Sequence, residues 1–213
     1  MTKKDFLRIG VFYDGTFFNY AQNYFWGQKY GWLDFQQFHK LLESYVETKI
    51  QGHSDYKVVY SAWFQGLHKA NSAPEDKLRL DRKRQIDLMH AGIESKNLPM
   101  SESQGEKGID VYMAVETLQI GLDDKIDIAI LVTGDGDFVP LVRTLMKNGV
   151  RVGIAFFEFE EDGHKSFVNE RLVSAANFAI NINSLENDRD FKTDFKMIFR
   201  QSDDNRKTEK QTK

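Results

Sequence analysis

The sequence feature that most constrains the fold is a short apolar run, Ile128–Val132, followed at once by Thr133-Gly134-Asp135-Gly136-Asp137. The run is partly β-branched and contains no polar residue, which is typical of a strand buried on both faces of a sheet. Two carboxylates stand where this strand ends and a helix begins, with Asp137 as the predicted N-cap and Pro140 in the first turn. Ligands of open α/β sheets bind at the carboxyl ends of the strands, so the pair indicates a cation site.

Acidic residues recur at two other places of this kind. The predicted strand Leu7–Tyr13 ends at Asp14, and Asp110 opens the predicted helix Val111–Ile120 as its N-cap or a first-turn residue. A single Asp-Gly pair more often only orders a turn, and capping is the simple alternative for Asp110. Because a parallel sheet gathers its strand ends at one edge, we nevertheless expect these acids to share one cleft with Asp135 and Asp137.

Gathered carboxylates require a counter-charge. Two unit charges 4 Å apart interact by roughly 4 kcal/mol at an effective dielectric of 20, so the acids would repel one another strongly. Oxygen ligands favour Mg²⁺ or Mn²⁺ over zinc, and Mg²⁺ usually binds one or two carboxylates directly and keeps several waters. A site of this kind can activate water for attack on phosphorus.

Composition limits the other classes of function. The chain has 213 residues, of which 41% are hydrophobic, enough for one sizeable domain. It has no cysteine and its histidines lack the spacing of a helical zinc pair, which excludes disulfides and the usual zinc sites. No apolar segment approaches about 20 residues and the N-terminus lacks an apolar signal core, so we expect a cytoplasmic protein without a membrane partner. With a net charge of −3, nucleic-acid contacts are expected to be local and metal-assisted.

The densest basic cluster lies on a predicted helix from Pro74 to about Ile93, whose expected inner face is Leu78, Ile86, Met89 and Ile93. A solvated surface is the default interpretation of this cluster. The alternative is contact with RNA phosphates through Arg79, Arg82, Lys83 and Arg84. The aromatic segment Tyr20–Trp32 is open to two interpretations as well, a stacking platform for bases or packing beneath a long loop.

The C-terminal region has its own pattern. Asp190–Phe199 is predicted to be a helix with Phe191, Phe195, Ile198 and Phe199 on one face, which either packs on the domain or docks a protein partner. Gln201–Lys213 has no apolar residue and is expected to be disordered. The predicted organisation is a domain over 1–184, an amphipathic helix within 185–200 and a tail over 201–213.

Three motifs in order resemble those of a known family. They are Val11-Phe12-Tyr13-Asp14-Gly15, Lys107-Gly108-Ile109-Asp110 with Glu116, and Thr133-Gly134-Asp135-Gly136-Asp137-Phe138-Val139-Pro140. Together they resemble NYN domains, the LabA-like branch of the PIN-like nucleases. The resemblance implies a PIN-like (Rossmannoid) three-layer α/β/α sandwich with a mainly parallel central sheet. It also implies metal-dependent RNA cleavage, with Asp14, Asp110, Asp135 and Asp137 as catalytic and metal-binding residues.

The same resemblance suggests supporting positions around the acids. Glu116 matches a second acidic position that is usually Asp, although its spacing of six residues from Asp110 places it on another helix face. Thr133 matches a position of small hydroxyl residues, and Lys107 belongs to the second motif. The family often has Asn three residues after the first Asp. Here that residue is Phe17, and Asn19 is the candidate substitute.

Three hypotheses follow. The first is a Mg²⁺- or Mn²⁺-dependent ribonuclease that cleaves single-stranded RNA with a metal-activated water. The second is a non-cleaving RNA-binding or regulatory module with the same fold. The third, a haloacid-dehalogenase-type phosphatase suggested by Asp14-Gly15-Thr16, ranks last because no acid stands two residues after Asp14.

Overall fold

The computed structural model describes residues 6–68, 73–100, 106–161 and 163–200, and the predicted tail Gln201–Lys213 lies outside the described residues. The strands are β1 (Phe6–Asp14), β2 (Trp32–Leu33), β3 (Asp55–Leu67), β4 (Glu94–Pro99), β5 (Ile128–Val132), β6 (Arg151–Phe156), β7 (Phe159–Glu161), β8 (His164–Ser166), β9 (Phe178–Asn181) and β10 (Phe199–Arg200). The α-helices are α1 (Gly15–Gly27), α2 (Phe35–Lys49), α3 (Glu75–His90), α4 (Ile109–Leu122), α5 (Val139–Lys147), α6 (Glu170–Ala175) and α7 (Lys192–Met197). Short 3₁₀ helices span Gly136–Phe138 and Asn183–Asn187.

Six strands form one sheet in the order β4-β3-β1-β5-β6-β9, and each neighbouring pair is parallel. In chain order the sheet grows outward from β1 to β4 on one side and from β5 to β9 on the other. This is the arrangement of doubly wound α/β folds, in which a crevice forms where the strand order reverses. Here the reversal lies between β1 and β5.

Helices cover both faces of this sheet. On one face, Ile9, Val11 and Ile130 pack in a core shared with α1, α2, α3 and α7. On the other, Phe12 and Leu131 pack in a core shared with α4, α5 and α6. The expected three-layer α/β/α architecture is therefore confirmed. No helix in the described ranges combines the length and the hydrophobicity that crossing a bilayer requires.

The aromatic segment after β1 is not a long loop, as one interpretation of the sequence had it, but largely the helix α1. Its buried residues include Phe18, Ala21, Gln22 and Phe25, which follow helical spacing. The buried Gln22 side chain accepts from the Leu33 amide at 2.7 Å. The mixture of aromatic and amide residues hid this periodicity, because the inward face contains a polar residue, Gln22, that only its tertiary partner satisfies.

The predicted inner face of α3 is wrong at Ile86 and Met89, whereas Ile93, just after the helix, is buried as expected. Ile86 and Met89 are 41% and 68% exposed, whereas Leu88 is the buried residue of the helix. At 100° per residue, the observed inner face is rotated by roughly a third of a turn from the predicted one. Arg84 lies on this inner face, with its guanidinium over the rings of Phe35 and Trp63. Flat, long arginine side chains can cover apolar surface in this way, which a count of apolar residues does not register.

The C-terminal segment packs back on the domain, which is one of the two alternatives that the sequence left open. The helix is shorter than predicted, and β10 follows it and pairs antiparallel with β2. Its apolar residues are buried in the core: Phe191, Phe195, Ile198 and Phe199. This apolar face is therefore occupied within the chain.

Candidate functional site

Asp14 is the last residue of β1, at the point where the strand order reverses. Its neighbour across the sheet is the end of β5, because Tyr13 pairs with Val132. The Thr133 hydroxyl donates to Asp14 Oδ2 at 3.1 Å, and the Phe17 amide donates to Oδ1 at 3.0 Å, so Asp14 also caps α1. These two hydrogen bonds fix the carboxylate in the crevice between the strands.

The electrostatic environment of Asp14 disfavours its charge. Burial raises the pKa of Asp14 to about 6, the hydrogen bonds from Phe17 and Thr133 oppose this rise, and nearby Asp110 and Glu106 add to it. A half-buried carboxylate with like charges around it is a group that a bound cation would stabilise.

The loop after β5 brings the second group of acids to the same edge. Asp135 Oδ1 accepts from the Asp137 amide at 2.9 Å, and the Asp135 amide donates to the Thr133 hydroxyl at 3.2 Å. Asp135 is therefore the N-cap here, not Asp137 as the sequence predicted. The chain enters α5 through a 3₁₀ turn, which moves the cap two residues towards the strand. Pro140 lies in the first turn of α5 as expected.

Asp110 takes the first-turn position of α4 and not the N-cap, which is Gly108 with a φ of 77°. Burial raises the pKa of Asp110, and the charges of Asp135, Glu106 and Asp137 raise it further. The acids from the three predicted segments thus lie close enough for their charges to raise the pKa values of Asp14 and Asp110. The structure brings Asp14, Asp110, Asp135 and Asp137 together at the carboxyl edge of the sheet.

A fifth acid, Glu106, was missed by the sequence analysis. Its Oε2 accepts from the Thr16 hydroxyl at 2.7 Å, and its Oε1 accepts from the Gly66 amide. These bonds tie the loop before α4 to the start of α1 and the end of β3. In the sequence Glu106 is one more charge in a polar loop, and only its four-residue distance from Asp110 could have drawn notice. We refer to Asp14, Glu106, Asp110, Asp135 and Asp137 as the acidic crevice.

The structure places other candidate residues outside this crevice. Glu116 pairs with Lys96 at 2.9 Å, farther along α4, so its expected role beside the acids finds no support in the geometry. Asn19 accepts from Arg84 at 2.7 Å and does not contact Asp14. Phe17, which occupies the family's Asn position, has its ring beside Gly134 and Phe157. Lys107 is exposed.

The basic cluster of α3 is divided by the fold. Lys83 and Arg84 line a cavity of about 260 Å³ between α1 and α3, whereas Arg79 and Arg82 are exposed and do not line it. Burial lowers the pKa of Arg84 to about 10. The cavity lies beside the acidic crevice, because its lining residue Gln65 follows Phe64, the partner of Asp14 across the sheet.

A second concave surface lies on the other side of the crevice. Gly136, between Asp135 and Asp137, forms part of an open groove of about 530 Å³. The charged residues that line the groove are two arginines, Arg143 of α5 and Arg171 of α6, and one acid, Glu170. Positive side chains therefore lie on both sides of the acids, although the net charge of the chain is negative.

The donor set of the acidic crevice consists of carboxylate and hydroxyl oxygens, which suits Mg²⁺ or Mn²⁺. Across the described ranges, none of its acids forms an ion pair with Lys or Arg. The same ranges also contain no group of three or more acids or histidines close enough together to hold a metal ion jointly. The residues fit a hydrated ion bound directly by one or two carboxylates, with the others acting through water.

Fold and site together define an α/β protein with an acidic crevice at the strand-order reversal, a nuclease-type arrangement. The chain belongs to the NYN domain family, whose model matches residues 8–183. This family is generally nuclease-like, and the resemblance of the three motifs is confirmed. A solved structure of a protein of unknown function from Vibrio parahaemolyticus matches with a TM-score of 0.57 and 22% identity, over 90% of this chain and 99% of that one. That likeness supports the fold alone. No curated protein matches the chain.

Proposed function

We propose that this protein is a metal-dependent ribonuclease that hydrolyses phosphodiester bonds of single-stranded RNA in the acidic crevice. The observation that carries the proposal is the mutual placement of the acids. Asp14, Asp110 and the Asp135/Asp137 pair come from three separate parts of the chain. The neighbouring acids help to raise the pKa values of Asp14 and Asp110, the Thr133 hydroxyl bridges Asp14 and the Asp135 amide, and none of the acids has a cationic partner in the described ranges.

In this proposal, some side chains of the crevice hold the metal ion and others fix the position of those side chains. Asp110, Asp135 and Asp137, which are exposed, would hold Mg²⁺ or Mn²⁺ together with the deeper Asp14. The ion, when bound, supplies an activated water and neutralises charge on the phosphodiester. Thr133 holds Asp14 in place, and the Asp135 cap holds the loop that carries Asp137. Glu106 joins the entry to α4 to β3, which fixes the position of Asp110.

The substrate class follows from the charges on either side of the crevice. Lys83 lies in the cavity on one side, and Arg143 and Arg171 line the groove on the other. Phosphates of one extended strand could contact both sets while a phosphodiester lies at the acids. Cations that track the backbone in this way are typical of single-strand binding.

A second function, a non-cleaving RNA-binding module, is favoured by two specific observations. Both oxygens of Asp14 already accept hydrogen bonds within the chain, and the described acids do not form a ready three-ligand group. A protein that only binds RNA needs the flanking cations and not a competent metal site.

One assay separates the two functions. Purified wild type is incubated with labelled single-stranded RNA in Mn²⁺ or in chelator, beside Asp110→Asn and the matched variant Glu116→Gln on the same helix. We expect cleavage only with Mn²⁺, its loss in Asp110→Asn and its retention in Glu116→Gln, because Glu116 pairs with Lys96 away from the crevice. Cleavage in chelator, or a wild-type rate in Asp110→Asn, would contradict the metal-site assignment. RNA binding without cleavage by wild type would favour the module.

A further inference from the structure

We propose that the cavity between α1 and α3 binds one nucleotide of an RNA strand next to the acidic crevice, with its base against Trp32 and its phosphate on Lys77 and Lys83. We call it the α3 cavity. Its lining residues are Asn19, Asn23, Trp32, Gln65, His68, Lys77, Leu80, Asp81, Lys83, Arg84 and Asp87. The inference deepens the proposed function and depends on it in one respect, that RNA is the ligand of this edge of the sheet.

The cavity has apolar walls that remain partly exposed, although Trp32 contacts Trp26 and Lys83. Leu80 is 55% exposed although it lines the cavity, and Trp32 is only partly buried. Lys83 Nζ lies 5.0 Å from the Trp32 ring centroid. A cation–π contact at an exposed site is weak, so a flat base can displace the flexible lysine from the ring. Stacking on an aromatic side chain accepts any base, which suits a strand without a fixed sequence.

Hydrogen-bonding groups are available beside these walls. Asn19 Oδ1 is engaged by Arg84, which orients the amide and leaves its Nδ2 group to donate into the cavity. The Asn23 side chain lines the same space and has no hydrogen-bond partner in the described part of the chain. Asparagine amides both donate and accept, so they can pair with the edge of a base.

The charge balance of the cavity selects an anion. Its two acids already have partners, since Asp81 contacts His68 at 2.9 Å and Asp87 lies 3.7 Å from Arg200. Of its cations, Arg84 keeps its charge but is partly enclosed by Asn19 and two aromatic rings. Lys77 and Lys83 are exposed and form no ion pair within the described ranges. Their two ammonium groups are therefore the accessible cations, and ammonium groups bind phosphate.

The position of the cavity connects this nucleotide to the crevice. Gln65 of the cavity adjoins Phe64, which pairs with Asp14 across two strands that lie about 4.8 Å apart. Thr16 and Asn19 stand on the same helix, the first bonded to Glu106 of the crevice and the second lining the cavity. A nucleotide in the cavity would thus belong to the same strand as the phosphodiester at the acids.

The decisive experiment compares two double variants of α3 with equal loss of charge. Lys77→Gln with Lys83→Gln removes the cavity cations, and Arg79→Gln with Arg82→Gln removes two exposed cations of the same helix. Binding of a short labelled oligoadenylate is measured in chelator over a range of salt concentrations. The cavity pair should weaken binding about tenfold and flatten the slope of log K against log salt by about 1.4, which is two single-strand phosphate contacts at about 0.7 each. The exposed pair should leave the slope unchanged. Equal effects of both pairs, or none from the cavity pair, would overturn the proposal.

The role of Trp32 is tested with a ligand that has no bases. Trp32→Leu should weaken oligoadenylate binding about tenfold, because stacking contributes a factor of this order per base. It should not weaken binding of an abasic ribose-phosphate oligomer of equal length, and Trp32→Phe should restore most of the affinity for oligoadenylate. If Trp32→Leu weakened the binding of both ligands, Trp32 would only support the fold, and the proposed base site would be refuted.

Two further experiments ask whether the ligand is a free mononucleotide or part of an RNA strand, and whether the nucleotide site stands without the proposed nuclease activity. Free AMP that competes with the RNA on wild type but not on the cavity variant would assign the site to a mononucleotide. No competition by AMP would assign it to the strand. With Mn²⁺, the cavity pair should raise KM about tenfold with little change in kcat. A wild type that binds as described but never cleaves would end the nuclease proposal and leave the nucleotide site standing.

Discussion

The acidic crevice and the α3 cavity lie side by side at one edge of the sheet, yet their charged residues are arranged in opposite ways. In the crevice, carboxylates face other carboxylates and have no cationic partner in the described ranges. In the cavity, both acids have partners and two lysines form no ion pair in the described ranges. The first arrangement is completed by an external cation and the second by an external anion. In the proposals made above, a metal ion would complete the first arrangement and a nucleotide the second.

The walls of the two places differ as well. The crevice is framed by β1, β5 and the first turns of α1 and α4, and Asp14 and Asp135 accept hydrogen bonds from backbone and hydroxyl donors. One wall of the cavity is α3, whose only fully buried side chain is Leu88. Acids of the crevice therefore have partners within the chain, whereas this wall of the cavity is joined to the core by a single fully buried side chain.

The largest expected effect comes from Asp135→Asn, which breaks the charge pattern of the crevice and keeps its shape. Asn Oδ1 can still accept from the Asp137 amide, so the cap survives while one repulsive charge disappears. Thermal melts in chelator should show a variant no less stable than wild type. Cleavage should fall by about 100-fold or more, because the ion loses a charged ligand. A destabilised variant that cleaves at the wild-type rate would mean that Asp135 only orders its turn.

The next largest effect tests which face of α3 is buried in the wall of the cavity. Leu88→Ala should destabilise the protein by about 3 kcal/mol, because it removes a buried side chain and leaves a cavity. The matched variant Met89→Ala, at the neighbouring and 68% exposed position, should change stability by less than about 0.5 kcal/mol. Denaturant melts of both variants measure the difference. A larger loss for Met89→Ala would restore the inner face that the sequence predicted.

The smallest effect concerns the support beneath Asp14. His39 packs on Tyr13, its Nε2 is buried without a partner in the described structure, and burial lowers its pKa to about 4 while Asp34 opposes the shift. The folded state then binds fewer protons than the unfolded state between pH 4 and about 6.5. This group's share of the stability is complete above that window and is lost as the pH falls through it.

His39→Leu removes this proton linkage. The stability of wild type minus that of the variant should fall by about 2 kcal/mol between pH 7 and pH 4, less than the limit that the full shift allows. Urea melts at a series of pH values provide the measurement, and the subtraction cancels the titration of Asp14 and other shared groups. A difference that stays constant with pH would show that His39 is accessible and free to ionise in the folded protein.

Much of the fold was open to prediction, and the reason is visible in particular elements. β5 has the predicted bounds, and Asp34 caps α2 as its residue type favours, accepting from the amides of Gln36 and Gln37. The positions of Asp14, Asp110 and Asp135 at strand or helix ends were also predicted. Each of these features depends on residues that are close together in the chain, and a parallel sheet then gathers its strand ends without further information.

The remainder required contacts that are distant in sequence. Glu106 is held in the crevice by hydrogen bonds from Thr16 and Gly66. No sequence spacing indicates that these residues are its partners. Arg84 lies on the inner face of α3 because its guanidinium contacts the rings of Phe35 and Trp63 and donates to Asn19. Its charge and its basic neighbours in the sequence favour a solvent-exposed position instead.

The sequence by itself determined the buried strand β5 and the positions of the acids at strand and helix ends, because apolar runs and turn residues act locally. Tertiary structure decided which polar side chains are inside and which charges have partners. It separated Lys83 from Arg82, its neighbour in the chain, and it paired Glu116 with Lys96 away from the acids. The physical reason is that the free energy of a buried charge depends on the groups around it, which the fold brings from elsewhere in the chain.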